Sequence, residues 1–271
     1  MQCPLLYRFR VVDRLPEAPS PVAVRGTVVH AVLERLFDLP SVERTLEAAS
    51  RLLAPEWERV RAETPELAEL FGGDVEAVAS WLASAENLLA RWFELENPTR
   101  LEPAERELYV ETTLDDGLVL RGYVDRLDVA PDGRMRVVDY KTGRAPSELF
   151  EAKALFQMKF YALVLWRLRG RLPSVLQLVY LGNGEILRYS PEESDLLATE
   201  RKVKALWQAI TRAAATGDWR PSPSRLCEWC DHQALCPARG GTLPEPPQDA
   251  LQRVVGSEAS QPQAPGMDED A

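Results

Sequence analysis

Apolar positions along the chain change their spacing in a fixed order. Between residues 22 and 38 they fall at Val24, Val28, Val32 and Leu36, the repeat of one helix face. The preceding LPEAPSP stretch, residues 15–21, reads as a loop that stops at the helix start. Residues 41–97 read as mostly helical, with Trp57, Phe71, Trp81, Leu88, Leu89 and Trp92 as core contacts and Asn97-Pro98 as the end. The spacing then shortens to two, which predicts strands near 105–114, 118–130 and 134–141. A helix over about 148–169 carries Phe156, Phe160, Leu163 and Val164. Strands near 174–181 and 185–189 flank the turn Gly182-Asn183-Gly184, and a long helix over about 191–216 follows, with Ser190 as N-cap and Glu193 three residues on. From about 240 the chain turns to Pro, Gln, Ala and acids, which predicts an acidic, disordered tail over 241–271. The order implies an α/β fold: a mixed central sheet flanked by helices, with 41–97 as a helical insertion.

The run GYVDRLDVAPDGRMRVVDYKTG, residues 122–143, carries the clearest chemistry. It reads as two strands joined by the three-residue loop Pro131-Asp132-Gly133, with Gly in the left-handed position. Ala130 then pairs with Arg134, and counting outward sets Asp125 opposite Asp139. Side chains alternate along a strand, so Asp125, Asp139 and Lys141 share a face. A two-residue loop would turn Asp125 to the other face. Adjacent carboxylates repel unless a cation sits between them, and Mg²⁺ or Mn²⁺ suits such oxygen ligands. An ion so held can polarise a phosphoryl oxygen and lower the pKa of its bound water, while an ammonium stabilises charge on the phosphate. Short motifs are weak by themselves, and taken alone these are ordinary charges on a solvated hairpin.

Composition narrows the class. The 271 residues are 45% hydrophobic and 27% charged, a profile for a globular protein with a sizeable core. There is no apolar run long enough to span a bilayer, and the first residues are too charged for a secretory signal. The expectation is a cytoplasmic protein with no membrane association. The net charge is −10, of which residues 241–271 supply −5. This excludes a globally basic nucleic-acid binder but not a local basic groove, since metal-site carboxylates count as negative until the ion arrives. No GxxxxGK[ST] run occurs, so the chain carries no P-loop motor.

Further residues matter by position. Gly26 and His30 lie four apart on the first helix and share a face. If His30 faces the hairpin it adds a nitrogen to the two carboxylates, which favours Mn²⁺ somewhat. Gln157 and Tyr161 stack along one face of the later helix, read either as a polar edge beside the core or as contacts to a phosphate or base. Cys227, Cys230 and Cys236 form C-x₂-C-x₅-C, and Cys3 is the fourth cysteine. In an apparently cytosolic chain this spacing argues for a metal rather than disulfides, with the fourth ligand from Cys3 or His232. Zinc and an iron–sulfur cluster fit the ligand types equally.

Together these blocks resemble the RecB-family nucleases of the PD-(D/E)XK superfamily. The likeness is to their iron–sulfur branch, which includes the CRISPR-associated four-cysteine nucleases and the nuclease domain at the end of AddB. The blocks are Cys3, Gly26 with His30, Gly122 with Asp125, Arg126 and Asp128, Asp139 with Lys141, Gln157 with Tyr161, and Cys227, Cys230 and Cys236. The resemblance covers residues 3–238 and implies a restriction-endonuclease-like nuclease domain over 1–240. It implies a metal-dependent deoxyribonuclease, an exonuclease on single-stranded DNA or duplex ends, working in DNA repair or recombination. His30, Asp125, Asp139 and the Tyr140 carbonyl would hold Mg²⁺ or Mn²⁺, Lys141 would be the catalytic lysine, and Gln157 and Tyr161 would sit beside the scissile phosphate. The four cysteines would hold a [4Fe-4S] cluster that staples the chain ends. Glu107 is a weaker candidate for the acid that the superfamily often carries on the preceding strand. A helicase is fused or partnered in several relatives. The family pattern usually has a short Ser/Pro-containing helix before its first cysteine, whereas Cys3 nearly opens this chain.

Two other readings compete. One is a non-catalytic module with a nuclease-like fold that grips DNA ends or a helicase, against which stands the presence of Asp125, Asp139 and Lys141 together. The other is a zinc-stapled structural protein.

Overall fold

Two backbone hydrogen bonds set the register of the central hairpin: Gly133 N donates to Ala130 O at 2.7 Å, and Ala130 N to Arg134 O at 2.9 Å. Gly133 has φ of 78°, the left-handed conformation that this loop requires. The structure is a computed structural model that describes residues 3–145 and 148–255, the first six of the second range by backbone only. Its helices and strands in chain order are α1 (Pro4–Tyr7), α2 (Pro21–Leu36), α3 (Leu46–Glu63), α4 (Val75–Leu95), β1 (Glu105–Thr113), β2 (Val119–Val129), β3 (Met135–Lys141), α5 (Glu148–Arg169), β4 (Val175–Tyr180), β5 (Glu185–Tyr189), α6 (Glu193–Thr216) and α7 (Ala250–Val255). A five-residue π-helical turn, Arg8–Val12, continues α1.

The strands form one five-stranded sheet in the order β1-β2-β3-β4-β5. Only β3 and β4 run parallel, Asp139 lying beside Leu178, and α5 makes the crossover between them. Arg126 pairs with Val138 and Asp128 with Arg136, the register expected from the loop. One face of β3 presents Val138 and Tyr140 to a core with Val28, Val32, Leu53, Trp57, Leu89 and Trp92 of α2, α3 and α4. The 41–97 insertion is therefore a helical layer packed on the sheet. The opposite face presents Asp139 and Lys141, and Lys141 meets Gln157 of α5.

The starts of α2 and α4 follow from their sequence. Ser20 caps α2 by accepting from Ala23 N, with Pro21 at the first position. Asp74 caps α4 by accepting from Glu76 N and Ala77 N. Helix α6 departs from expectation at its start. It begins at Glu193, so Ser190 lies outside the cap, and Asp195 accepts the Glu192 N–H at 3.0 Å. An acid at the third helical position supplies the return half of a capping box.

The chain forms two compact units, Pro19–Glu200 and the described residues of Met1–Ala18 with Arg201–Ala271. In the second, Leu5, Phe9 and Val12 bury against Ile210, Ala214, Trp219, Ala250 and Val254. The expectation of disorder from 241 fails at α7, where Ala250 and Val254, four apart, both enter that core. The rest of the expected tail, 256–271, lies outside the described residues. No helix among the described residues is long and apolar enough to cross a membrane.

Candidate active site

The ladder between β2 and β3 ends at Arg126 and Val138. Beyond it the strands part, and side chains take up the freed backbone groups. Asp125 Oδ2 accepts the Tyr140 N–H at 2.7 Å. His30 Nε2 lies 3.0 Å from Tyr140 O, and its Nδ1 lies 3.5 Å from Asp125 Oδ2. Gly26, one turn earlier on α2, is where that helix nears the end of β3: a Cβ there would stand 3.3 Å from Thr142 Oγ1.

On the same sheet face, Lys141 Nζ lies 2.6 Å from Asp139 Oδ2 and donates to Gln157 Oε1 at 3.1 Å. Gln157 Nε2 donates to Tyr161 Oη at 3.0 Å. Asp139, Lys141, Gln157 and Tyr161 thus form one polar chain from β3 to α5. The Tyr161 ring crosses Gly122, where a Cβ would come within 2.8 Å of its Cε1, so the glycine of the G-x-x-D block is needed for close approach.

Glu107 stands nearer the centre than its sequence suggested. It sits on β1 with φ of 42°, a backbone conformation rare for a residue with a side chain. Its carboxylate, the His30 ring and the Asp125 carboxylate offer ligand atoms within 4.8 Å of one another. Two donors on one ion with bonds of about 2.1 Å are at most about 4.2 Å apart, so a small inward shift of these side chains would let the three share one divalent cation. Asp139 lies outside that trio, against Lys141, and the Tyr140 carbonyl faces His30.

Electrostatics support the same fit. Burial pushes the Glu107 carboxyl up to about 7, helped by the charges of Asp125, Glu34 and Asp139. Burial raises Asp125 above the ordinary carboxylate range, opposed by the Tyr140 N–H and Lys141. Burial and the Asp125 charge raise Asp139, opposed by Lys141. Asp139 Oδ2 is buried and, despite its closeness to Lys141, receives no well-aligned hydrogen bond. Burial lowers His30, as does Lys141, which favours the neutral imidazole a metal needs. Three acids that resist ionising, with a neutral imidazole, form a donor set that fits a hard or borderline cation.

Arg126 and Asp128 of the same sequence block do different work on the opposite sheet face. Arg126, 1% exposed, donates to both Glu96 oxygens at 2.8 Å, to Tyr140 Oη and to Asp128. Asp128 in turn meets Arg136 at 2.7 Å. Burial works to raise the Glu96 carboxyl, but Arg126 holds it below its ordinary value. Glu96 carried no signal in the sequence, being one acid among many on a helical stretch.

The cysteines belong to the other unit. Cys3, Cys227, Cys230 and Cys236 line one pocket there, with Leu5 and Phe9. Cys3 Sγ accepts from Ser222 N at 3.4 Å and Cys227 Sγ from Ser224 N at 3.3 Å. His232, left open as a fourth ligand, is instead buried, with Nε2 2.9 Å from Glu17 Oε1 and its ring edge-on to Phe9. No three of the four sulfurs lie within 4.8 Å of one another.

Comparison with known proteins bears on what this site can do. The chain is 26% identical over 261 residues to the "Gene 69 protein" of Mycobacterium phage D29, covering 87% of this chain and 92% of the phage protein. It shares its fold with a solved structure from Eubacterium rectale named "Putative exonuclease", at a TM-score of 0.55 and 15% identity, over 92% of this chain and 85% of that one. Residues 1–237 match the family model of the PD-(D/E)XK nuclease superfamily, and this chain belongs to that superfamily.

Proposed function

We infer that this nuclease is a divalent-metal-dependent deoxyribonuclease of the RecB type, an exonuclease that degrades single-stranded DNA or duplex ends. The observation that carries the reading is the polar chain Asp139–Lys141–Gln157–Tyr161 beside the trio His30, Glu107 and Asp125. Mg²⁺ or Mn²⁺, when bound, supplies an activated water and polarises the scissile phosphate. His30, Asp125 and Glu107 would hold it, with Asp139 and the Tyr140 carbonyl as further donors. Lys141 balances the charge that develops on the phosphate, and Gln157 fixes the Lys141 ammonium. Tyr161 presents its hydroxyl beside the phosphate. The fold shared with a protein named an exonuclease points the same way.

The cysteine pocket is read as the seat of a [4Fe-4S] cluster. Four thiols in one pocket, two receiving backbone N–H groups, suit thiolate ligands.

The test is anaerobically prepared protein incubated with end-labelled single- and double-stranded DNA, with Mg²⁺ or Mn²⁺. The expected result is metal-dependent shortening from ends that Asp139→Ala and Lys141→Ala abolish while the protein stays folded. Undiminished cleavage by both variants overturns the assignment. An absorption shoulder near roughly 400 nm supports the cluster, and a colourless protein with stoichiometric zinc refutes it.

A further inference from the structure

We propose that Arg25, Arg91 and Arg144 form a clamp for backbone phosphates of the nucleic-acid strand beside the cleaved bond, a reading that rests on the nuclease function above. Residues Pro19–Glu200 hold 31 acids against 21 Lys and Arg, so an unpaired cation there stands against the balance of charge. These three arginines have no acid partner among the described residues. Arg25, half-buried on α2, engages only Nη1, which donates to Ser84 Oγ of α4 at 2.9 Å. Its Nε is buried and meets no acceptor among the described residues. Arg91, exposed on α4, likewise engages only Nη1, on the Leu181 and Gly182 carbonyls. In both, the edge formed by Nε and Nη2 is left unfilled, and such a planar fork grips a phosphate through two hydrogen bonds. A guanidinium held partly out of water costs free energy until an anion meets it.

All three stand at the loop that follows Lys141. Leu181 N donates to Lys141 O at 2.8 Å and Gly182 N to Gly143 O at 2.9 Å, so the carbonyls that Arg91 engages lie against that loop. A Cβ on Gly182 would stand 2.7 Å from Arg144 N, which puts the exposed Arg144 at the same strand ends. A Cβ on Gly26, the neighbour of Arg25, would stand 3.3 Å from Thr142 Oγ1. Ser84, which anchors Arg25, and Arg91 are seven residues apart, on one face of α4 and about 10 Å apart along its axis. A single phosphate is too small to fill both forks, whereas a strand offers one phosphate per nucleotide. The packing of α2 and of the β4–β5 turn on α4 accounts for the two Nη1 anchors, but it gives no reason for leaving both forks without an acid.

The experiment is a fluorescence-anisotropy titration of fluorescein-labelled oligo(dT), about 20 nucleotides long, with the anaerobically purified full chain in EDTA over a range of salt concentrations. Arg25→Gln and Arg91→Gln should each weaken binding about 10-fold and lower the slope of log affinity against log salt by about 0.7, the share of one phosphate contact. Arg25→Lys should keep the slope but lose part of the affinity, since it retains the charge without the fork. Arg61→Gln, which removes the same charge from an exposed pair with Glu58 on α3, should change neither. Cleavage kinetics in Mg²⁺ make the same comparison through KM, which should rise more than kcat falls. Binding and KM within about twofold of the parent in both Gln variants overturn the clamp, and if the parent cleaves DNA only the clamp fails. Weaker binding with an unchanged salt slope and a lowered melting temperature overturns it as a packing effect. If the parent neither binds nor cleaves nucleic acid, the nuclease reading fails with it.

Discussion

Asp125 Oδ2 accepts the backbone N–H of Tyr140 at 2.7 Å, so an acid side chain stands where a strand carbonyl would. This one bond joins fold and chemistry. It ends the β2–β3 ladder and holds a buried carboxylate within reach of His30 and Glu107. The two roles separate by substitution. Asp125→Asn keeps an acceptor for Tyr140 N but loses the charge, whereas Asp125→Ala loses both. The expected outcome is loss of cleavage by at least about 100-fold in both variants, from the loss of charge stabilisation. Only Asp125→Ala should lose a further 1–3 kcal/mol or so of stability, from the orphaned amide. Cleavage rates and urea melts of the two variants check this.

Tyr161 depends on Gly122 for its place. A methyl group at 122 would stand 2.8 Å from Tyr161 Cε1, closer than a real contact allows. Gly122→Ala should therefore displace the ring and disturb the Gln157–Lys141 bonds, at a cost of about 1–3 kcal/mol. Cleavage should fall about tenfold to a hundredfold, as for other small misplacements of catalytic groups. In a Tyr161→Ala background the added cost of Gly122→Ala should largely vanish. A double-mutant cycle on stability reads the coupling directly.

The hairpin was legible because its register rests on local chemistry. Pro131-Asp132-Gly133 admits one favoured loop, and the alternation of side chains then places Asp125, Asp139 and Lys141. Helix α5 and strand β5 were also bounded correctly, since each is a long or turn-delimited apolar pattern. Other features rest on distant partners or on backbone geometry. The positive φ of Glu107 cannot be read from a glutamate in a strand pattern. Glu96 gains meaning only when α4 delivers it to Arg126, 30 residues away. Ser190 looked like a cap because Ser commonly is one, but Glu192 occupies the cap position and Asp195 closes it. The helix at Ala250–Val255 was hidden in a polar composition, its two buried residues meaningful only beside Leu5 and Phe9.

Arg126 and Glu96 form a buried pair whose loss should act on folding rather than chemistry. Arg126 is 1% exposed, and both its partners and those of Glu96 are inside the protein. Removing one partner leaves the other charge buried and uncompensated, which typically costs about 3–5 kcal/mol. Glu96→Ala should lower the urea midpoint accordingly, and Glu96→Gln by less, since it keeps an acceptor for Arg126. Below the melting range, the surviving folded fraction of Glu96→Gln should cleave DNA at nearly the parent rate, because Glu96 lies on the sheet face opposite Lys141. A large loss of rate per folded molecule would show that the pair also positions the site.

The crowded acids make stability, metal and pH interdependent. Glu107 has an ordinary value of 4.5 and is pushed up to about 7 by burial and by the neighbouring carboxylates, and Asp125 and Asp139 are raised for related reasons. A raised acid binds its proton more tightly when folded than unfolded. Its stabilising contribution is therefore complete below the unfolded value and is lost as pH rises through the folded one. Without divalent metal, the contribution of these groups to stability should fall as pH climbs from 4.5 to about 7. A cation reverses this by favouring the ionised acids, and its binding releases protons, so its affinity must rise with pH. The difference in melting temperature between Mn²⁺ and EDTA should consequently be larger at pH 7.5 than at pH 5.5. Asp125→Asn should shrink that difference at both values. Calorimetry in buffers of different ionisation enthalpy should register proton release on Mn²⁺ binding near pH 6.5. A metal effect on melting that is the same at both pH values, with no protons released, would rule out these acids as the ligands.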